Sequence, residues 1–250
     1  MKHHVVRLGT AALVLGALAR PAEAQLVGNP VYFSPKQPTG LTLALDFGST
    51  LNLKYDGVKY TVGGQSVKPN NLGARATLGL PLITVGVGVG IYNPDFNLAD
   101  KETQFMGSAA LKIFSPPLVP IGISLQAGAG YLKSGSVKII SVPIGLGVAV
   151  KPPTPGLSVE VWGAPRLQFN AVSVSGVGSR AQAGIGASGG VNLGMPMGLG
   201  LHIAVDYAKL SAKAAAGTGS LTLPETQAIT FGAGLRYTFT IPGLPMVPII

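Results

Sequence analysis

From Ile83 the chain reads Ile-Thr-Val-Gly-Val-Gly-Val-Gly-Ile-Tyr, with β-branched apolar residues at 83, 85, 87, 89 and 91 and Thr, Gly, Gly, Gly and Tyr at the even positions. A period of two marks a strand with one apolar face, and glycine at every second position makes a very poor helix. The alternation recurs. Leu41, Leu43, Leu45, Phe47, Leu51, Leu53 and Tyr55 form one face of a segment whose other face is Thr42, Ala44, Asp46, Gly48, Thr50, Asn52 and Lys54, broken only by Ser49. Leu72, Ala74, Ala76, Leu78 and Leu80 stand against Gly73, Arg75, Thr77 and Gly79 in the same way. The pattern predicts ten strands, at about 41–55, 71–80, 82–92, 103–114, 121–131, 139–151, 157–169, 181–193, 199–210 and 227–239. Most are ~9–13 residues long, near what a tilted strand needs to cross a bilayer.

The connections alternate as well. One set is short and proline-bearing, around Pro81 and at 115–120, 152–156 and 194–198; the other is longer and polar, at about 56–70, 93–102, 132–138, 170–180 and 211–226. Tight turns on one side and long loops on the other are the arrangement of an antiparallel transmembrane barrel, turns periplasmic and loops extracellular. Lipid offers a backbone no water to bond with, so such a sheet must close, and an even strand count with both ends on one side allows it.

Composition narrows the class further. Hydrophobic residues make up 47% of the 250 and charged ones 11%, against roughly 25% charged in a soluble domain. So apolar a chain is not disordered, and with no cysteine it holds no disulfide scaffold, zinc–thiolate site or iron–sulfur cluster. Lys2 and Arg7, the apolar run Leu8 to Ala19, and Ala22-Glu23-Ala24 read as a secretory signal peptide over 1–24 with Gln25 as the mature N-terminus. Its removal takes the formal charge from +9 to +7. Residues 25–39 are then a periplasmic lead-in, 40–239 the barrel and 240–250 an apolar tail.

On this pattern the chain resembles the small bacterial outer-membrane β-barrels over Gly40 to Phe239. The resemblance implies a bacterial outer-membrane location, a lipid and lipopolysaccharide surround, and recognition of a terminal aromatic by the barrel-assembly machinery. Tyr237-Thr238-Phe239 looks like that ending, although Thr240 to Ile250 follow it. Tyr55, Tyr131, Phe169, Tyr207, Tyr237 and Phe239 share the apolar parity near strand ends, as interfacial girdles require.

With the apolar face outward, the lumen receives Asp46, Lys54, Arg75, Lys112, Glu160, Trp162, Arg166, His202, Asp206 and Arg236. Ionised groups away from water need partners. Asp46 and Arg75, on neighbouring strands at matching heights, are the expected pair, whereas Glu160 is at the height of Arg236 and meets it only across the lumen. These residues form either a structural plug or a selectivity lining for a small polar solute. The glycines of the inner face either leave a narrow water-filled space or let strands approach and coil tightly. A slightly basic loop rim (Lys59, Lys68, Lys101, Lys133, Lys138, Arg180 and Lys213) suits lipopolysaccharide phosphates. Dispersed charge without a basic helix excludes nucleic acid.

Gly186-Ala187-Ser188-Gly189-Gly190 matches a nucleophile-elbow pattern but sits inside an alternating strand, not at a strand–turn–helix junction. Were residue 193 paired with 199, Ser188 would face Ala204 and lie diagonal to His202 and Asp206. The sequence therefore reads as a ten-stranded outer-membrane barrel, a narrow passive channel or a structural and surface barrel, with no enzymatic activity, cofactor or metal. The alternatives are a secreted soluble β-sandwich binding protein and, below it, a barrel hydrolase using Ser188, His202 and Asp206.

Overall fold

The structure, a computed structural model, describes residues 34–36, 39–94, 100–116, 119–213, 221–239 and 241. The signal-peptide reading and the tail beyond residue 241 lie outside the described residues. Ten long strands form the body: β1 (Gly40–Tyr55), β2 (Asn70–Gly79), β3 (Ile83–Asn93), β4 (Glu102–Phe114), β5 (Ile121–Ser134), β6 (Val137–Val150), β7 (Ser158–Val174), β8 (Gly178–Gly194), β9 (Leu199–Leu210) and β10 (Thr226–Phe239). Each pairs antiparallel with the next, and β10 returns to β1, from Leu41↔Phe239 to Tyr55↔Thr226, closing the cylinder.

Alternation builds the wall. Leu43, Leu45 and Phe47 on β1, Val85, Val87, Val89 and Ile91 on β3, and Ile203, Val205 and Tyr207 on β9 are all exposed on the outside. A soluble sandwich would cover this face with a second sheet. The one closed sheet provides none, so the apolar wall meets lipid and the sandwich alternative falls. The fold is that of a transmembrane antiparallel barrel.

Two departures from strict alternation shape the loop half of the interior. A β-bulge between Thr50 and Asn52 adds one residue to β1. Such an insertion moves every later side chain to the opposite face. Leu53 and Tyr55, expected on the lipid face, therefore turn inward and are buried, and Lys54 leaves the lumen for the outside, paired with Lys59. Tyr55 is accordingly not part of an outer girdle.

The second departure is at the loop end. The segments 132–138 and 170–180, expected as loops, are mostly strand: β5 and β6 are joined through Gly135-Ser136, and β7 and β8 through residues 175–177. Their pattern misleads because polarity inverts there. Leu132, Val137, Ile139, Val172 and Val174 point inward and are buried, while Lys133 and Lys138 pair across strands on the outside. A barrel that rises beyond the bilayer has water outside and must keep its apolar residues within.

Candidate functional site: the lumen and its terminal mouth

The lumen is filled in three tiers. At the loop end, Leu53, Ile139, Val172, Val174, Leu221 and Leu223 form an apolar cluster, with Tyr60 packed against it. Asp56 and Gly57, both with positive φ, make the tight turn that brings Val58 and Lys59 back onto β1 and lays Tyr60 edge-on against Tyr55, ring centroids 5.1 Å apart. Leu221 and Leu223, from the connection between β9 and β10, are buried in this cluster. Lys213 N donates to Leu223 O at 2.8 Å and Leu223 N to Lys213 O at 2.9 Å. Gln182 Nε2, from the inner face of β8, ties both ends down by donating to Ser211 O at 3.1 Å and Pro224 O at 2.9 Å.

Beneath this lid is a polar tier. Gln168 Nε2 donates to Ser141 Oγ at 2.7 Å, and Ser141 Oγ to Asn170 Oδ1 at 2.9 Å. Arg166 makes a two-pronged pair with Asp206, Nη1 to Oδ1 at 2.6 Å and Nη2 to Oδ2 at 2.9 Å, and Nη1 also donates to Ser188 Oγ at 2.9 Å. Ser188 Oγ closes the triangle by donating to Asp206 Oδ1. Nearby, Arg75 Nε donates to Asp46 Oδ2 at 3.0 Å, and His202 Nε2 lies 2.7 Å from Asp46 Oδ1. The side chains of both clusters are 10% exposed or less. Charges so far from water persist because each has its counter-charge and hydrogen bonds in place.

The glycines explain how these groups reach one another. Arg166 on β7 crosses β8 at Gly186, where an added methyl would come within 2.8 Å of the guanidinium carbon. His202 on β9 crosses β10 at Gly234 to meet Asp46 on β1. Much of the volume that glycine removes is thus occupied by charged side chains lying across the neighbouring strand. At Gly234 a methyl would meet His202 Nε2 at 2.4 Å and the Leu45 carbonyl oxygen at 2.5 Å. Gly234→Ala must push the imidazole off Asp46 or part the seam where β10 closes on β1. The expected cost is ~1–3 kcal/mol, read as a lower urea midpoint for loss of the fast-migrating folded band.

The third tier is the mouth at the end where β1 begins and β10 finishes. Glu160 is buried there, with Ser34 Oγ donating to its Oε2 at 2.7 Å and Asn192 Nδ2 to its Oε1 at 2.8 Å. The segment Ser34–Lys36 lies inside the rim. Lys36 Nζ donates to Val119 O and, at 3.4 Å, to Pro116 O. Lys112 Nζ donates to Leu80 O at 2.9 Å. Burial pushes the Lys36 and Lys151 ammoniums below the ordinary lysine value, partly offset by Glu160; for Lys151 the nearby Arg236 and Lys36 charges lower it further. Trp162, two positions above Glu160 on the same face, packs with Ala149, Ala164 and Ala204.

Of the residues expected in the lumen, Asp46 and Arg75 come together as anticipated, and Arg166 joins Asp206, a pairing the sequence reading missed. Arg236 does not reach out across the lumen. It runs along the wall over Gly200 and Gly194 toward Ser158. The serine, histidine and carboxylate are not assembled as a relay. The turn after β8 is tighter than expected, Met195 N donating to Leu199 O at 2.7 Å with Gly198 at positive φ. Leu193 therefore pairs with Leu201, Ser188 faces Asp206, and His202 is opposite Asn192. Four residues of strand separate Asp206 from His202, about 13 Å. Among the described residues no three His, Asp or Glu side chains converge as metal ligands would.

No family model and no curated protein sequence matches the chain. Solved structures similar to it are bacterial outer-membrane barrels. They include the outer membrane protease OmpT from Escherichia coli, 10% identical over 87% of this chain and 100% of that one, TM-score 0.43. The β domain of the Bordetella autotransporter BrkA is 12% identical over 80% of this chain and 100% of its own, TM-score 0.49. Neisserial surface protein A is 15% identical over 81% and 99%, TM-score 0.38. The transmembrane antiparallel barrel fold stands on the closed ten-stranded order and the apolar wall of the chain itself.

Proposed function

We propose that this protein is a sealed outer-membrane barrel with a structural or surface-contact role, and neither an open channel nor an enzyme. The observation that carries the reading is the stack of two independent closures: an apolar lid at the loop end and, below it, the paired charges Arg166–Asp206 and Asp46–Arg75–His202. A selectivity lining presents charge to water so that an ion exchanges its hydration shell for protein groups. Charges already committed to one another offer a solute little.

In the orientation usual for such barrels, the end where β1 begins and β10 finishes faces the periplasm. The outward lysines of the loop end, Lys54 beside Lys59 and Lys133 beside Lys138, then stand above the lipid-facing wall at the height of lipopolysaccharide phosphates. Their like-charge pairing across strands is unfavourable alone and is relieved by an anionic surface. Tyr237 and Phe239, exposed and edge-to-face at 4.7 Å, form the terminal aromatic signal for barrel assembly. Purified, folded protein in planar bilayers is expected to be electrically silent. Stepwise conductance from the wild-type protein would overturn the sealed reading.

A further inference from the structure

The terminal mouth holds more positive charge than the seal requires. A cavity of about 600 Å³ opens at the rim and is lined by Lys36, Lys151, Glu160 and Arg236 among others. Three cations against one carboxylate leave two positive charges there. Glu160 does not neutralise them by direct contact, because its oxygens take hydrogen bonds from the neutral donors Ser34 and Asn192. Lys36 directs its ammonium to backbone carbonyls. Among the described residues, neither the Lys151 ammonium nor the Arg236 guanidinium has a carboxylate within ion-pair distance.

Arg236 is nonetheless held in place. An added methyl at Gly200 would come within 2.8 Å of its Nε and 3.1 Å of its Cγ, and one at Gly194 within 3.8 Å of Nη2. The two glycines form a trough along which the side chain lies, with its fork at the cavity. A planar fork beside an ammonium, in a partly desolvated site of ligand size, is the donor set that recognises phosphate.

We propose that the terminal mouth of the barrel binds a small phosphate-bearing anion, held by Arg236 and Lys151. The site goes beyond the sealed-barrel reading and is independent of it, since it lies at the rim below both closures. A phosphomonoester from the periplasm and the headgroup of an anionic phospholipid in the inner leaflet supply the same chemistry. Apolar residues at the rim, Met195, Met197 and Phe239, leave room for either source.

The test uses the mature protein, its folding confirmed by heat-modifiable migration. One arm titrates it in detergent with glucose 6-phosphate by calorimetry. The other moves it into phosphatidylcholine vesicles containing phosphatidylglycerol and counts retained phosphatidylglycerol by native mass spectrometry. Saturable binding in either arm, one per barrel, is expected, and the responding arm identifies the source. Arg236→Gln and Lys151→Gln should each weaken it about tenfold, the scale of one charge-assisted hydrogen bond. Lys151 lies beyond the end of β6, so its variant leaves the strands intact, and Lys133→Gln at the opposite end should bind as wild type. Absence of saturable binding in both arms overturns the proposal. So does unchanged affinity in both mouth variants, or equal competition by chloride at the same concentration.

Discussion

Arg166→Met should destabilise the folded barrel by about 3–5 kcal/mol, the largest loss expected from a single inward side chain. Methionine keeps the length and apolar stem but leaves the Asp206 carboxylate, now 1% exposed, without its counter-charge. Ser188 still donates to it, but one neutral hydrogen bond does not replace a two-pronged guanidinium. Urea unfolding in detergent micelles, followed as loss of the fast-migrating folded band, measures the change. The double variant Arg166→Met, Asp206→Leu should regain most of the loss, because it removes both charges together; the remainder reflects the hydrogen bonds that Ser188 and Gln168 lose. The coupling between the two sites therefore exceeds either one's interaction with its remaining neighbours. The experiment also tests the seal. In a water-filled lumen Asp206 would simply be hydrated and Arg166→Met would cost under about 1 kcal/mol, as exposed pairs do.

The interior changes character where the exterior does. Across the lipid belt the outer wall is apolar, and Arg75, Arg166, Gln168 and Asp206 are inside. At the loop end Lys133 and Lys138 are outside, and Leu132, Val137 and Ile139 are inside. One alternating strand can satisfy both environments only if its polarity pattern inverts partway, and β5 and β6 do so between Tyr131 and Ile140. The sequence reading took that inversion for the end of the strand. On β1 the same exchange is made by geometry, the bulge after Thr50 turning Leu53 and Tyr55 inward.

Much of the architecture was legible because it depends on period alone: ten strands, their pairing in chain order, the lipid face, and Asp46 on the same face as Arg75 of the neighbouring strand all follow from counting alternate positions. What depended on register was not. A turn tighter by two residues after β8 moved Ser188 from Ala204 to Asp206 and dissolved the imagined relay. The partners of Arg166 and His202 and the course of Arg236 were hidden because each crosses a neighbouring strand at a glycine: Gly186, Gly234 and Gly200. The signal was present as inward glycines at the height of inward cations, but it becomes readable only once the register sets those heights.

The lid offers the second large effect. Leu223 is fully buried within the apolar cluster and is bridged to Lys213 through its backbone. In Leu223→Asp a carboxylate would stand among Leu53, Val172 and Leu221, in a cluster whose members carry no charge. Burying it there costs ~3 kcal/mol or more, and the strands below do not depend on the lid, so the connection should swing out while the barrel stays folded. That is local opening, which proteolysis detects where global unfolding is silent. Trypsin should cut the folded variant after Lys213 about 100-fold faster than wild type, the ratio for ~2.7 kcal/mol of lost protection. The variant should still keep bilayers silent, because Arg166–Asp206 and Asp46–Arg75–His202 remain closed beneath it. Fast clipping with no conductance identifies two closures in series, whereas fast clipping with conductance means that the lid alone seals the lumen. A variant clipped no faster than wild type means that Leu223 is not held inside the barrel.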